Sequence, residues 1–329
     1  MSAMWIGRRQ SVGIGIESSR GTAVAASYWL NIMAFSFSDK PIRALSEASY
    51  GGIWAGDQAP LVLNNAEGSF DFEIGDASFG AILYAIFGSK SVSGPSDTSA
   101  YTHTFTLSNS NQHPSLSVRT IDPIGDLLFK MTMIDKFTMN VEKDKIVSAS
   151  VSFISKSSAT SSGNTASYVA EKKFVGRNLV FKIGAVVGDL AAASAVSLQS
   201  LTLNIEKNAQ AQSTLGTVQP EDIVNKRFNI TGEITLNYED RTWLSYVTAG
   251  GYKAIRIQLV HDDTITGAAT TKYTFTLDLS KCMLEGWEPN YAMDDITTQK
   301  LTFTALYDAG VLNSVVSSCT LINGVVSYS

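Results

Sequence analysis

The sequence predicts an all-β (mainly β) protein with two short helices, built from duplicated β-sandwich modules in one chain of 329 residues. Three observations predict it. Apolar and polar residues alternate strictly through ten separate segments, the period of a half-buried strand. Thr and Ser fill most polar positions, and β-branched Thr suits a pleated surface, so local propensity agrees with the period. Helical spacing occurs in only two segments, and each follows an alternating strand of the same kind.

In chain order, VGIGIESSRG at 12–21 opens the first module, and MAFSFS at 33–38 alternates. A long loop at 39–66 follows and contains Trp54; a loop of this length inside a compact domain is usually functional. EGSFDFEIGD at 67–76 places Phe70, Phe72 and Ile74 on one face and Ser69, Asp71 and Glu73 on the other. DASFGAILYAIFG at 76–88 spaces Phe79, Ile82, Leu83 and Ile86 as a helix does, with Asp76 as N-cap and Gly88 as stop. YTHTFTL at 101–107, FTMNV at 137–141 and VSASVSF at 147–153 complete the module. SKSSATSSGNTAS at 155–167 reads as a flexible linker.

The second module opens with LVFKIGAVVGD at 179–189, then LTLNI at 201–205 and a loop at 206–227 containing TVQPED. FNITGEITL at 228–236 leads into DRTWLSYVTAGG at 240–251, where Trp243, Tyr246 and Val247 share a helix side. Asp240 caps it, and Gly250 and Gly251 end it. AIRIQLV, YTFTLDL and LTFTAL close the module.

The two halves align. An offset of 164 takes Gly68 to Gly232, Phe70 to Ile234, Phe72 to Leu236, Asp76 to Asp240, Phe79 to Trp243, Ile82 to Tyr246 and Leu83 to Val247. FSFS at 35–38 falls on LTLN at an offset of 166, and THTFTL on KYTFTL at 170. Five elements in one order at nearly constant offset indicate a duplication. The expected organisation is a first module with an N-terminal arm at 1–155, a Ser-rich linker at 156–172, a second module at 173–308 and a C-terminal extension at 309–329. Asn323 and Gly324 sit between alternating runs, a two-residue hairpin signal. An isolated hairpin is marginal, so this tail should join a sheet of its own chain or of a neighbour.

Composition excludes several classes. Hydrophobic residues make up 44% and charged residues 17%, against a usual charged share of about 25%, so disorder is excluded. A net charge of -5 without a basic face argues against a dedicated nucleic-acid binder. No apolar run approaches the ~18 residues of a membrane helix, and no secretory leader is expected at 1–10. His103 shares a strand face with Tyr101 and Phe105, His113 sits in a polar loop, and His261 with Asp262 and Asp263 opens a turn. None has a second ligand cluster at metal spacing. Gly13, Gly15 and Gly21 lack the strand-loop-helix context of a phosphate loop. Cys282 and Cys319 read as core residues, and the acidic pairs Glu221/Asp222 and Asp294/Asp295 as turn residues. No enzyme, catalytic residue, metal or cofactor is expected. A large chain so short of surface charge should bury part of that surface against partners.

IGIESSRGTAVAAS, the long loop before EGSFDFEIGDASFGAILYAIFG, and LTLNIEKNAQ, LGTVQPEDI and ITGEITLNYEDRTWLSYVTAGG together resemble the siphophage major tail tube protein family. The resemblance covers nearly all of 12–308. It implies a structural virion protein, made in the host cytoplasm, whose β-sandwich modules close into stacked rings around a β-barrel-lined channel. It implies self-assembly, contacts with tape measure and tail terminator or tip proteins, and transient passage of double-stranded DNA on ejection. Six modules per ring would need three such chains, a homotrimeric pseudo-hexamer; a hexamer is the alternative. A channel that passes DNA should not bind it, and fixed negative charge repels phosphate. Asp71, Glu73, Glu233 and Glu239 are therefore the lumen-facing candidates, with Phe70, Phe72, Ile74, Ile234, Leu236 and Tyr238 toward the core. The long loops resemble the family's stacking loop, with Trp54, Asp57, Pro220, Asp222 and Ile223 as candidate contacts. The competing reading is a β-sandwich capsid decoration or glycan-binding module using Trp29 and Trp54.

Overall fold

The computed structural model describes residues 4–54, 56–291, 293–310 and 314–328. The first half holds β1 (Ser11–Ile16), β2 (Tyr28–Trp29), β3 (Ile32–Arg43), β4 (Leu61–Glu73), α1 (Phe79–Phe87), β5 (Gly88–Ser93), β6 (Tyr101–Leu107), β7 (Leu116–Ile121), β8 (Asp126–Glu142), β9 (Ser148–Lys156) and β10 (Ala159–Ser161). The second half holds β11 (Leu179–Gly184), β12 (Ala195–Val196), β13 (Leu198–Glu206), β14 (Gln210–Gln212), β15 (Asp222–Val224), β16 (Asn229–Asn237), α2 (Thr242–Ala249), β17 (Tyr252–Thr264), β18 (Lys272–Asn290), β19 (Thr298–Ala305) and β20 (Ser318–Asn323).

The front layer is one continuous antiparallel run of eight strands, ordered β3·β4·β9·β8·β13·β16·β19·β18. Four strands come from each half, and β8·β13 is the seam between them. Behind lie β2·β1·β7·β8 in the first half and β12·β11·β17·β18 in the second. β8 and β18 serve both layers. The beginning of each pairs in the back layer and the end in the front. Register shifts accompany the passage, as an extra residue bends a strand and lets it leave one sheet for another. Gly286 sits at the β18 shift with φ 64°, a backbone state that glycine adopts without steric cost.

Alternation places the apolar face of the front layer inward. Phe70, Phe72, Ile74, Ile234 and Leu236 are buried in one core with Val12 and Ile14 from the back layer. Tyr238, expected with them, is only half-buried, because it lies past the end of β16 and stacks toward Trp287 and Tyr291 instead.

Several expectations are corrected. THTFTL and KYTFTL do not hold equivalent places: β6 pairs with β5 and β20, while β18 holds the place that β8 holds in the first half. Among the described residues the tail forms no hairpin about Asn323 and Gly324. β20 inserts as a single strand between β18 and β6 of its own chain. The Asn323 amide then donates to the Asp76 carbonyl and the Tyr328 hydroxyl, each at 2.6 Å, which turns the chain inward instead of back. Val311 to Asn313 lie outside the described residues. The Ser-rich stretch is laid along the first half: β10 pairs with β8, and Asn164 donates to Asp126 at 3.0 Å.

Asp76 does not cap α1. Its carboxylate accepts the Lys172 N–H at 2.7 Å, and the Ser78 N–H at the helix start donates to the Glu171 carboxylate. Gly88 does end α1, with φ 86°. Asp240 accepts the Thr242 N–H at 2.8 Å, next to the start of α2, and Gly250 ends that helix with φ 64°. His113, expected in a polar loop, is buried. Its Nδ1 lies 2.9 Å from the Ile86 carbonyl and its Nε2 3.1 Å from that of Ser108.

Candidate assembly interface

The outward face of the front layer is built by the same alternation that buries its core. One row across it reads Ala34, Asp71, Ser150, Thr138, Asn204, Thr231, Thr304 and Met283, each directly opposite the next. Side chains knit the rows: Thr138 donates to Asn204 at 2.8 Å and Thr202 to Asn140 at 3.2 Å. Hydroxyls and amides therefore dominate this face.

The acidic candidates divide. Asp71 stands half-exposed in that row, one strand in from the β3 edge. Glu73 ends β4 and is ion-paired with Lys173. Glu233 pairs with Lys300 at 2.8 Å, and Lys136 with Glu206 at 2.9 Å across the seam. Glu239 lies beyond β16, exposed, and off the sheet. The surface is thus polar with paired charges, not the acidic wall expected. The partner lysines come from other strands, which inspection of one strand at a time does not reveal.

Both borders of the front layer are open. Among the described residues β3 pairs only with β4, and β18 from 284 onward pairs only with β19. An edge strand offers a row of unpaired N–H and C=O groups to another chain.

The 39–66 segment begins and ends as strand, at 39–43 and 61–66, with a tip between. β3 and β4 run on as a long hairpin, with ladder bonds continuing through Ala44 and Ser46. Its tip exposes Leu45, Tyr50, Ile53 and Trp54, the last two at 97% and 77%. Clustered exposed apolar side chains on a soluble surface mark an interaction site. Asp57 accepts the Tyr50 hydroxyl at 2.6 Å and braces that tip.

The 206–227 segment folds back on its own chain. β14 and β15 pair, and Pro220 and Ile223 are buried, Ile223 against Met131 and Met133. Asp222 is held by Arg20 and by Gln112 at 2.6 Å. What it exposes is Leu215. Arg20 also donates to the Ile223 carbonyl at 2.7 Å, and no sequence pattern singled it out. Trp29 is buried beside Tyr168, so it offers no platform with Trp54.

The family model described as phage tail tube protein matches residues 7–305. No curated protein matches. Among solved structures the chain is similar to one titled "Crystal structure of Hcp protein", at 14% identity, covering 43% of this chain and 96% of that one, with a TM-score of 0.24. A score that low establishes no common arrangement of the whole chain.

Proposed function

Because the chain belongs to the phage tail tube protein family, we propose that it is a tandem pair of tube modules, three chains of which close one ring of the tail tube. The observation that carries this reading is the open-edged front layer, with a core behind it and a polar face of largely paired charges before it. Eight strands per chain would give 24 in a closed three-chain ring. Closure removes the exposed edges that otherwise invite uncontrolled pairing. The matching strand orders of the two halves support the tandem reading.

The polar face then lines the channel. A wall of Ser, Thr and Asn with internally paired charges offers DNA phosphates no basic track, so the counterion release that makes DNA adhere is absent. Asp71 adds a weak repulsion. The hairpin tip with Ile53 and Trp54 contacts the next ring, since buried aromatics dominate interface energetics. Tape measure and terminator proteins then meet the lumen and the tube end, in the virion tail. Electron microscopy of the concentrated protein tests the reading. Tubes with a central channel are expected; particles without one at high concentration would favour a capsid decoration module. A chain lacking 51–59 should stay folded and stop forming long tubes, and tubes of normal length from it would remove the stacking role.

A further inference from the structure

The seam inside the chain is a template for the seam between chains. In β3·β4 Lys40 stands opposite Asn65, and in β13·β16 Glu206 stands opposite Asn229. Lys40 and Glu206 thus hold the same place in the two halves. In β8·β9 Lys136 stands opposite Ser152, and in β18·β19 Glu285 stands opposite Thr302. Ser152 and Thr302 are themselves equivalent, since Phe70 faces Val151 and Ile234 faces Leu301. Glu285 therefore holds the place of Lys136.

The internal seam sets Lys136 directly against Glu206. Resting on the tube reading above, we propose that the free edge β3 of one copy pairs antiparallel with the free end of β18 of the next, in the register of that internal seam. The outer seam then sets Lys40 against Glu285, Ser38 against Glu288 and Ser36 against Asn290. On the core side Phe37 meets Pro289 and Phe35 meets Tyr291, all four left half-buried or exposed in the single chain.

The charge pair is inverted between the two seams, and that inversion selects partners. If β8 of one copy met β3 of another, Lys136 would face Lys40. If β18 met β13, Glu285 would face Glu206. Opposed like charges disfavour both wrong seams, while both correct seams join opposite charges. Modules therefore alternate around the ring, and every ring contains whole chains. Lys40 and Glu285 are both exposed and carry no ion pair among the described residues; the Glu285 carboxylate accepts only the Thr304 hydroxyl, at 3.0 Å.

Cysteine cross-linking in assembled tubes tests the register. The native Cys282 and Cys319 are buried and do not compete. A chain with Ser38→Cys and Glu288→Cys should form interchain disulfides on mild oxidation. Ser36→Cys with Glu288→Cys is two residues out of register, which puts the Cα atoms about 7–8 Å apart, at or beyond the limit for a disulfide. It should cross-link several-fold less. Lys40→Glu should slow assembly at least tenfold while circular dichroism stays that of a folded chain, and Lys40→Glu with Glu285→Lys should restore the rate. Tubes that form without the in-register cross-link, or that cross-link best out of register, overturn this seam and leave the tube reading standing. Tubes unaffected by Lys40→Glu overturn the charge selection. Failure of the unmodified chain to make any tube overturns both readings.

Discussion

The helices α1 and α2 follow corresponding strands of the two halves, yet eight of the nine α1 residues are buried and none of the eight in α2 is. FGAILYAIF is apolar all round, and such a helix needs cover on every side. β5 and β6 run beside it, Phe79 lies within 5.2 Å of the Phe275 ring centroid and 6.0 Å of that of Phe137, and the buried Tyr328 ring sits against Gly80. The Lys207 ammonium donates to the Ala85 carbonyl at 2.7 Å and helps close the helix C-terminus. TWLSYVTA instead keeps one stripe, Trp243, Tyr246 and Val247, against the core and turns Thr and Ser to solvent. The same position in the fold can thus be core or surface. In the first half the chain's own C-terminus supplies the cover, which is why that tail is not available as an arm for a neighbour.

Paired substitutions sharpen this contrast. Phe79→Ala should cost about 4 kcal/mol by denaturant unfolding, as for other buried Phe, while Trp243→Ala at the equivalent position should cost about 1 kcal/mol. Equal costs would mean α2 is as deeply supported as α1. Tyr328→Ala should lose about 3 kcal/mol, since it leaves a cavity over Gly80 and removes the Asn323 partner.

Acid should act on the α1 side through His113. Burial, with the nearby Lys207 ammonium next, holds His113 down to about 4. The unfolded chain therefore binds the proton more readily. Stability from this group is full above about pH 6.5 and is lost as pH falls toward 4. The loss should reach about 3 kcal/mol, and His113→Gln should flatten that part of the stability-pH curve. An unchanged curve would detach His113 from the helix end. The smallest effect is expected at Thr248, whose hydroxyl bonds to the Leu244 carbonyl on exposed α2. Thr248→Ala should stay within about 0.5 kcal/mol.

Where one face is buried and the other wet, period gave the strands directly: β4, β9, β13, β16 and β19 all alternate, and both glycine helix stops were legible. Other parts followed physics that alternation cannot report. β7 carries Ser117 buried on its polar face, donating to the Glu17 carboxylate at 2.9 Å, so a polar residue does not mark the outside there. The first part of β8 loses clean alternation because the strand changes layers. Gly286 and Pro289 look like strand breakers, but within the single chain Pro289 lies on an edge strand that is paired on one side only, where a missing N–H is tolerated. The tip residue Trp54 was visible as an isolated exposed aromatic. The surroundings of Asp222 and Ile223 were not legible, because Arg20, 202 positions away from Asp222, ties that loop down. The ion pairs of Glu73 and Glu233 were hidden for the same reason: Lys173 and Lys300 arrive from distant segments.

Helical image reconstruction of the polymer tests the two-module ring most directly, because it counts chains and traces strands at once. Three chains per ring, each contributing two adjacent four-stranded modules to one closed barrel, are expected. Six chains per ring, or a ring whose barrel takes strands from only one half of each chain, would contradict it.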